Sequence, residues 1–206
     1  MTHHRWSLPA AATLALALAL AASPARALAP GDSLPQGDVA MKNVDGRSLT
    51  LAAARGPKGT LVLFTCNHCP WVKAWEGRIA RLGNDARRHG VGVIAVNAND
   101  PEAYAEDSFD NMRKRAKERG FAFPYVVDAT SDVARGFGAT HTPEAFLFDA
   151  AGRLVYHGTI DDNAQQPDRV KARYLQDAVD ALLAGRPVPL AETKSLGCSI
   201  KFRATK

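Results

Sequence analysis

The chain has 206 residues, which suits one domain and is long enough to bury a substantial core. Its composition, with 46% hydrophobic and 23% charged residues, excludes disordered and fibrous proteins. The formal net charge is +5, but the basic residues are interleaved with acidic ones, so no nucleic-acid-binding surface is predicted.

The N-terminus has the pattern of a cleavable signal peptide. A short basic start at residues 3–5 precedes an almost unbroken run of Ala and Leu over residues 8–22, which is short for a membrane span. Ala25 and Ala27 have the spacing that signal peptidase reads, so we expect a signal peptide over residues 1–27. An uncleaved anchor is the alternative. The expected location is periplasmic or secreted, with no stable membrane insertion after cleavage.

Short apolar runs alternate with helical patterns along the rest of the chain. Strands are predicted over residues 60–64, 91–96, 125–127, 144–148 and 154–157, and helices over residues 70–88, 108–119, 132–137 and 170–183. We expect residues 28–187 to form one domain that begins with an extended segment, and residues 188–206 to form a C-terminal tail without clear periodicity. This element order predicts an α/β fold, a three-layer sandwich whose central mixed sheet is flanked by helices.

A Cys-x-x-Cys pair lies between a predicted buried strand and the start of a helix, in the sequence Cys66-Asn67-His68-Cys69-Pro70. Free backbone N–H groups and the helix dipole favour negative charge at such a helix start. We therefore expect Cys66 to be an exposed nucleophile with a lowered pKa. Cys69, one turn further in, is expected to be the more buried thiol that resolves a mixed disulfide.

Three neighbours of this pair are candidates for tuning it or for contacting substrate. His68 is predicted to stabilise the Cys66 thiolate, and the alternative is an exposed loop histidine of little influence. Thr65, directly before Cys66, is a second tuning candidate. Trp71 is expected to be exposed beside the sulfurs, where it would contact substrate, whereas Trp75 is expected to pack in the core.

The chain has three cysteines, and the third is Cys198 in the tail. Structural disulfides of exported proteins come in pairs, so an odd count leaves one thiol unpaired or makes the pairing exchangeable. Cys198 has three interpretations: a third redox thiol that reaches Cys66 or Cys69, a link between two chains, or a buried passive thiol.

The stretch from the first strand to the helix resembles thioredoxin-fold proteins of the redoxin group, which is the alkyl hydroperoxide reductase and thiol-specific antioxidant family. The segment Gly-Ala-Thr-His-Thr-Pro over residues 138–143 is similar to the cis-proline loop of that group, and the likeness spans residues 31–185. The resemblance implies a thioredoxin-like fold with Pro143 in cis and with Thr142 offering backbone hydrogen bonds to substrate. The ending over residues 196–201 resembles one redoxin subfamily.

These features predict an exported thiol-disulfide oxidoreductase that acts through Cys66 and Cys69. Its expected partners are protein thiols and disulfides and a membrane or thioredoxin-type electron donor; we expect no nucleic acid, no cofactor and no bound metal. A thiol peroxidase is one alternative, although the peroxiredoxin pattern Pro-x-x-x-Thr-x-x-Cys is absent. A carrier of Cu(I) or zinc, using the cysteines with His68 or His141, is another. His68 favours an oxidising pair, whereas the resemblance equally implies a reductant, so the direction of electron flow stays open.

Overall fold

The computed structural model describes residue 1 and residues 27–204. Residues 2–26, which carry nearly all of the predicted signal peptide, lie outside the described residues. Within the described part of the chain, no helix has the length and apolar character needed to cross a membrane.

The described residues form short strands and four α-helices, with two 3-10 turns over Ala105–Asp107 and Pro167–Arg169. The strands are β1 (Met41–Asn43), β2 (Ser48–Leu49), β3 (Gly59–Phe64), β4 (Val91–Asn97), β5 (Tyr125–Val127), β6 (His141–Thr142), β7 (Glu144–Asp149), β8 (Leu154–Gly158) and β9 (Cys198–Ser199). The helices are α1 (Pro70–Arg88), α2 (Phe109–Glu118), α3 (Asp132–Phe137) and α4 (Tyr174–Leu183).

The strands form a mixed sheet with β3 near its centre. One ladder runs β2-β1-β5-β4 and another runs β3-β7-β8. The two ladders meet where β4 lies beside β3, and there the Thr65 N–H donates to the Val96 carbonyl oxygen at 2.9 Å. β4 and β5 are parallel, whereas β3, β7 and β8 pair antiparallel. Since β3 leads directly into the Cys-x-x-Cys motif, this ladder fixes where the motif leaves the sheet.

Alternate side chains of β3 build two cores on opposite faces of the sheet. Leu61 and Leu63 pack with the buried faces of α1 and α4, while Val62 and Phe64 pack with α3. This alternation follows from the two-residue period of a strand. Because both faces of β3 are buried, the strand consists of a run of apolar residues. The predicted three-layer α/β sandwich is confirmed.

Most predicted elements agree with the structure to within a residue or two, and the differences lie at α4, in the N-terminal segment and in the tail. Helix α4 begins at Tyr174, because residues 167–169 form a 3-10 turn and Val170 is extended. β1 and β2 form a short hairpin in the segment expected to be extended; Asp45 closes its turn by accepting the Arg47 N–H at 2.9 Å. The tail, for which no strand or helix was predicted, contributes β9.

Two glycines of α1 provide a matched test of core packing. A Cβ at Gly83 would lie 2.5 Å from a ring carbon of Phe123, whereas at Gly77 it would meet only the end of Arg81, at 3.8 Å. We expect Gly83→Ala to lower the free energy of unfolding by about 1–3 kcal/mol through overpacking. The control Gly77→Ala should raise it by about 0.5–1 kcal/mol, because alanine favours the helix. Urea denaturation measures both, and a Gly83→Ala variant as stable as the parent would contradict this packing.

Candidate active site

Both cysteines of the motif lie at the junction of β3 and α1. Cys69 is the N-cap residue of α1, and Pro70 is its first residue, where a missing N–H costs nothing. The two side chains are buried, at 1% and 0% exposure, in a small cluster with Val72 and Cys198. The expectation that Cys66 is exposed is therefore wrong in this structure, because the tail lies against the sulfurs.

Thr142 contacts both sulfurs from the opposite side. Its hydroxyl Oγ1 lies 3.2 Å from Cys66 Sγ, and its carbonyl oxygen lies 3.1 Å from Cys69 Sγ, where only the thiol can donate. The Thr142–Pro143 peptide bond is cis, as the resemblance implied. Thr142 thus offers its hydroxyl to Cys66 and its carbonyl oxygen, as an acceptor, to Cys69.

The C-terminal tail occupies the free edge of this loop. β9 pairs antiparallel with β6, with Cys198 opposite Thr142, and the Ile200 N–H donates to the Thr140 carbonyl oxygen at 2.9 Å. Gly197 packs directly on the loop, since a Cβ there would lie 2.2 Å from the Thr142 carbonyl oxygen. The edge that the resemblance reserved for substrate is taken here by the chain itself.

A buried carboxylate, Asp107, organises the loop between the cysteines. Its Oδ1 accepts the Asn67 N–H at 2.6 Å, while its Oδ2 contacts His68 Nδ1 at 2.6 Å and accepts from Asn99 Nδ2 at 2.8 Å. The carboxylate is fully shielded from solvent. The Cys69 thiol and burial raise the pKa of the Cys66 thiol, and the negative charge of Asp107 adds to this effect.

The two thiols of the motif titrate as a pair. The hydrogen bond between them and burial raise the pKa of Cys66, and the same hydrogen bond lowers the pKa of Cys69 to about 4. The expected lowered pKa of Cys66 is therefore wrong in this structure, where the Cys69 thiol and burial raise it. When the pair holds one proton and that proton lies on Cys69, the Cys69 thiol donates to the Thr142 carbonyl oxygen and the thiolate lies on Cys66.

The three candidate neighbours, His68, Thr65 and Trp71, have different surroundings in the structure. His68 contacts Asp107 and stacks on the Tyr104 ring with centroids 4.0 Å apart, so it acts on Cys66 only together with that carboxylate. Thr65 is buried and continues the sheet through its N–H, and the hydroxyl beside Cys66 comes from Thr142. Trp71 is 36% exposed, as expected from the sequence.

Trp75 is fully buried, as predicted. Its indole Nε1 donates to Asp161 Oδ1 at 2.7 Å, and Arg78 pairs with the same carboxylate. Asp161 therefore serves as a structural anchor.

Glu144, the residue after Pro143, ties the cis-proline loop to its surroundings. Its Oε2 accepts the Thr140 and His141 N–H groups at 2.8 and 2.9 Å. Its Oε1 lies 2.6 Å from His157 Nε2 and accepts from Ser195 Oγ in the tail at 2.9 Å. One buried carboxylate thus holds the loop, strand β8 and the tail in register.

Ligand atoms of Cys66, His68 and Asp107 lie within 4.8 Å of one another, a spacing that a metal ion could bridge. Both Asp107 oxygens are already engaged with N–H groups and with the His68 ring. Metal binding would break these contacts, so the arrangement is explained as a hydrogen-bond network around a thiol.

Asp107, Glu144 and Gly197 are the site residues that the sequence interpretation missed. Asp107 lies in a polar loop, and the Asn67 N–H that donates to it is 40 residues away in the sequence. No local sequence pattern therefore indicates its role. Glu144 carried a usable signal, because a charge at the start of an apolar strand requires partners once buried.

The comparisons with known proteins agree with this geometry. The sequence profile of the AhpC/TSA family matches residues 30–157. The thiol-disulfide oxidoreductase ResA of Halalkalibacterium halodurans is 28% identical over 115 residues, which are 56% of this chain and 61% of ResA. The chain therefore matches less than two thirds of that relative's length.

Two solved structures extend the comparison. An uncharacterized conserved protein from Geobacillus kaustophilus is 40% identical with a TM-score of 0.79, covering 86% of this chain and 94% of its own. A thioredoxin-like protein in its oxidized form is 20% identical with a TM-score of 0.59, covering 76% and 97%. The second likeness concerns the fold alone and confirms the thioredoxin-like arrangement.

The Glu144 contacts predict a pH-dependent contribution to stability. Burial opposes ionisation, but hydrogen bonds from His157, His141 and Thr140 outweigh it and hold the pKa of Glu144 below its usual range. A depressed carboxylate pKa stabilises the fold above the unfolded-state pKa, and this stabilisation is lost as pH falls through the folded-state pKa. We expect Glu144→Gln to cost about 1–3 kcal/mol at neutral pH and progressively less in acid.

Urea denaturation from neutral to acidic pH measures this difference. Glu118→Gln, at an exposed position of α2, is the matched control and should stay within about 0.5 kcal/mol of the parent. A Glu144→Gln penalty that is constant over the whole range would refute the ionic contribution.

The position of Asp107 predicts how the Cys66 thiol titrates. In a Cys69→Ser/Cys198→Ser background, Cys66 is the only cysteine, and its alkylation rate against pH reports its pKa. Asp107→Asn removes the negative charge, so we expect the Cys66 pKa to fall by about one unit. The matched control is Asp110→Asn, whose side chain is 92% exposed on α2 and should leave the profile unchanged. An unchanged or raised midpoint in Asp107→Asn would contradict the assignment.

Proposed function

Because the chain belongs to the AhpC/TSA family, we propose that it is an exported thiol-disulfide oxidoreductase whose reacting groups are Cys66 and Cys69. The observation that carries this proposal is the contact of one residue, Thr142, with both sulfurs. The name of the matched relative ResA supports the same chemistry. Disulfide exchange requires two thiols in reach of each other and a means of deciding which one is ionised.

The surroundings of the pair supply that means. With the shared proton on Cys69, the Thr142 carbonyl oxygen accepts it, and the Thr142 hydroxyl can donate to a Cys66 thiolate. Cys66 then attacks a client disulfide: a bond forms from Cys66 to one client sulfur, and the other client sulfur leaves with the electron pair and takes up a proton. Cys69 next attacks Cys66, which releases the first client sulfur as a thiol and leaves a Cys66–Cys69 disulfide. In reverse, the same steps oxidise a client dithiol.

The clients in this proposal are protein thiols or disulfides, and an electron donor or acceptor of the membrane or thioredoxin type completes the cycle. Trp71 and Tyr104, 36% and 38% exposed, lie near the motif and offer aromatic surface for such contacts. Export rests on the N-terminal pattern, in which a basic start and an Ala/Leu run precede a small-residue cleavage site after Ala27.

A thiol peroxidase is the second candidate, favoured by the family and by the hydroxyl that Thr142 places 3.2 Å from Cys66. In that reaction a Cys66 thiolate attacks the peroxide O–O bond and becomes a sulfenic acid while water or an alcohol leaves. Cys69 then condenses with the sulfenic acid, which releases water and forms the same disulfide. The two candidates differ in the co-substrate and share both thiols.

The reduction potential of the Cys66–Cys69 pair tests the proposal. In Cys198→Ser, the pair should form a reversible disulfide in glutathione or dithiothreitol buffers, and Cys66→Ser or Cys69→Ser in the same background should abolish it. A potential near about −120 mV would mark an oxidant or isomerase, and one near about −270 mV a thioredoxin-like reductant.

Hydroperoxide consumption by the same variants separates the second candidate. Turnover of peroxide with a thiol donor, lost in Cys66→Ser, would establish the peroxidase. Absence of any reversible couple between Cys66 and Cys69 would refute the oxidoreductase proposal.

A further inference from the structure

The tail brings a third sulfur to the motif by a backbone pairing that fixes its position. β9 pairs with β6 in a register that sets Cys198 opposite Thr142, the residue whose carbonyl oxygen lies 3.1 Å from Cys69 Sγ. Cys198 accordingly packs against the cluster of Cys66, Cys69 and Val72. A passive surface thiol would need none of this placement.

Several contacts hold the tail in that register. Gly197 lies against the Thr142–Pro143 peptide, where a side chain would clash. Ser195 donates to buried Glu144 at 2.9 Å, and the Lys201 N–H donates to Asn99 Oδ1 at 2.8 Å. Anchors therefore flank Cys198 on both sides, and the thiol is positioned by the fold.

Cys69 interacts with both other thiols, since Cys66 and Cys198 each help to hold its pKa low. Burial and the neighbouring Cys69 raise the pKa of Cys198 to about 11. Cys198 is also the most accessible of the three, being half-buried where the others are buried.

We propose that Cys198 is a redox thiol that exchanges with Cys69, so that the disulfide moves from Cys66–Cys69 to Cys69–Cys198. The Cys198 thiolate attacks Cys69 Sγ, the Cys69–Cys198 bond forms, and the Cys66–Cys69 bond breaks. The electron pair leaves on Cys66 Sγ, which takes up the proton that Cys198 lost. The step is an isomerisation and consumes no oxidant or reductant.

This exchange rests on the proposed oxidoreductase function, and it determines which sulfur a reducing partner attacks. It returns Cys66 to the thiol state and transfers the oxidising equivalent to the sulfur that solvent can reach. The partner that reduces the protein is therefore a thiol that attacks Cys198, and it need not enter the buried motif.

Disulfide mapping of the full-length chain tests the inference. The protein is equilibrated in glutathione redox buffer, quenched in acid, alkylated, digested and analysed by mass spectrometry for linked peptides. We expect wild-type protein to contain both the Cys66–Cys69 and the Cys69–Cys198 disulfides. We expect Cys66→Ser to form the Cys69–Cys198 disulfide within one monomer.

A matched control moves the thiol by one residue. Successive side chains of a strand point to opposite faces, so Cys66→Ser/Cys198→Ser/Ser199→Cys directs the thiol away from Cys69. Its yield of a link to Cys69 should be at least about tenfold lower than that of Cys66→Ser. Equal yields would show that the link reflects a mobile tail and would overturn the positioned exchange.

The outcomes distinguish this inference from the function on which it rests. If Cys198→Ser forms the Cys66–Cys69 disulfide while neither wild-type protein nor Cys66→Ser shows a Cys69–Cys198 link, the relay is refuted and the oxidoreductase stands. If Cys198→Ser forms no Cys66–Cys69 disulfide, the proposed function fails. The wild-type map gives the answer even if Cys66→Ser does not fold.

Discussion

The arrangement of the site depends on the backbone and side chain of Thr142. Its hydroxyl meets Cys66, its carbonyl oxygen meets Cys69, and its strand pairs with the segment that carries Cys198. Each contact requires a different atom of the same residue. Buried Glu144 holds this loop by accepting two of its backbone N–H groups. Strand β6 therefore positions the three sulfurs relative to one another.

The electrostatics of the site depend on the charge of buried Asp107 on one side and on the N-terminus of α1 on the other. Asp107 anchors the motif loop through backbone N–H groups, and its charge opposes ionisation of Cys66. Cys69, at the start of α1, has the opposite environment, since the Val72 N–H stabilises negative charge there. Two cysteines three residues apart thus differ in character, because one faces an anion and the other lies at a helix start.

The sequence was sufficient where structure is local. The unbroken apolar run Leu61–Phe64 predicts a buried strand, and the spacing of Val72, Trp75 and Ile79 predicts an amphipathic helix. The position of the motif between them follows directly. Asp107 and Cys198 could not be placed in this way, because their partners lie far along the chain. β9 has two residues, too few to show any period, and its pairing with β6 is set by tertiary contacts.

The docked tail also bears on how the site selects what it reacts with. The tail is attached to the domain that it covers, so β9 meets its edge at an effective concentration of about millimolar, as expected for a short linker. An incoming polypeptide must outcompete this internal strand before it can add its own backbone beside Thr142. Under the proposed function, the packing of Gly197 on the loop therefore favours polypeptides with enough complementary surface to displace β9.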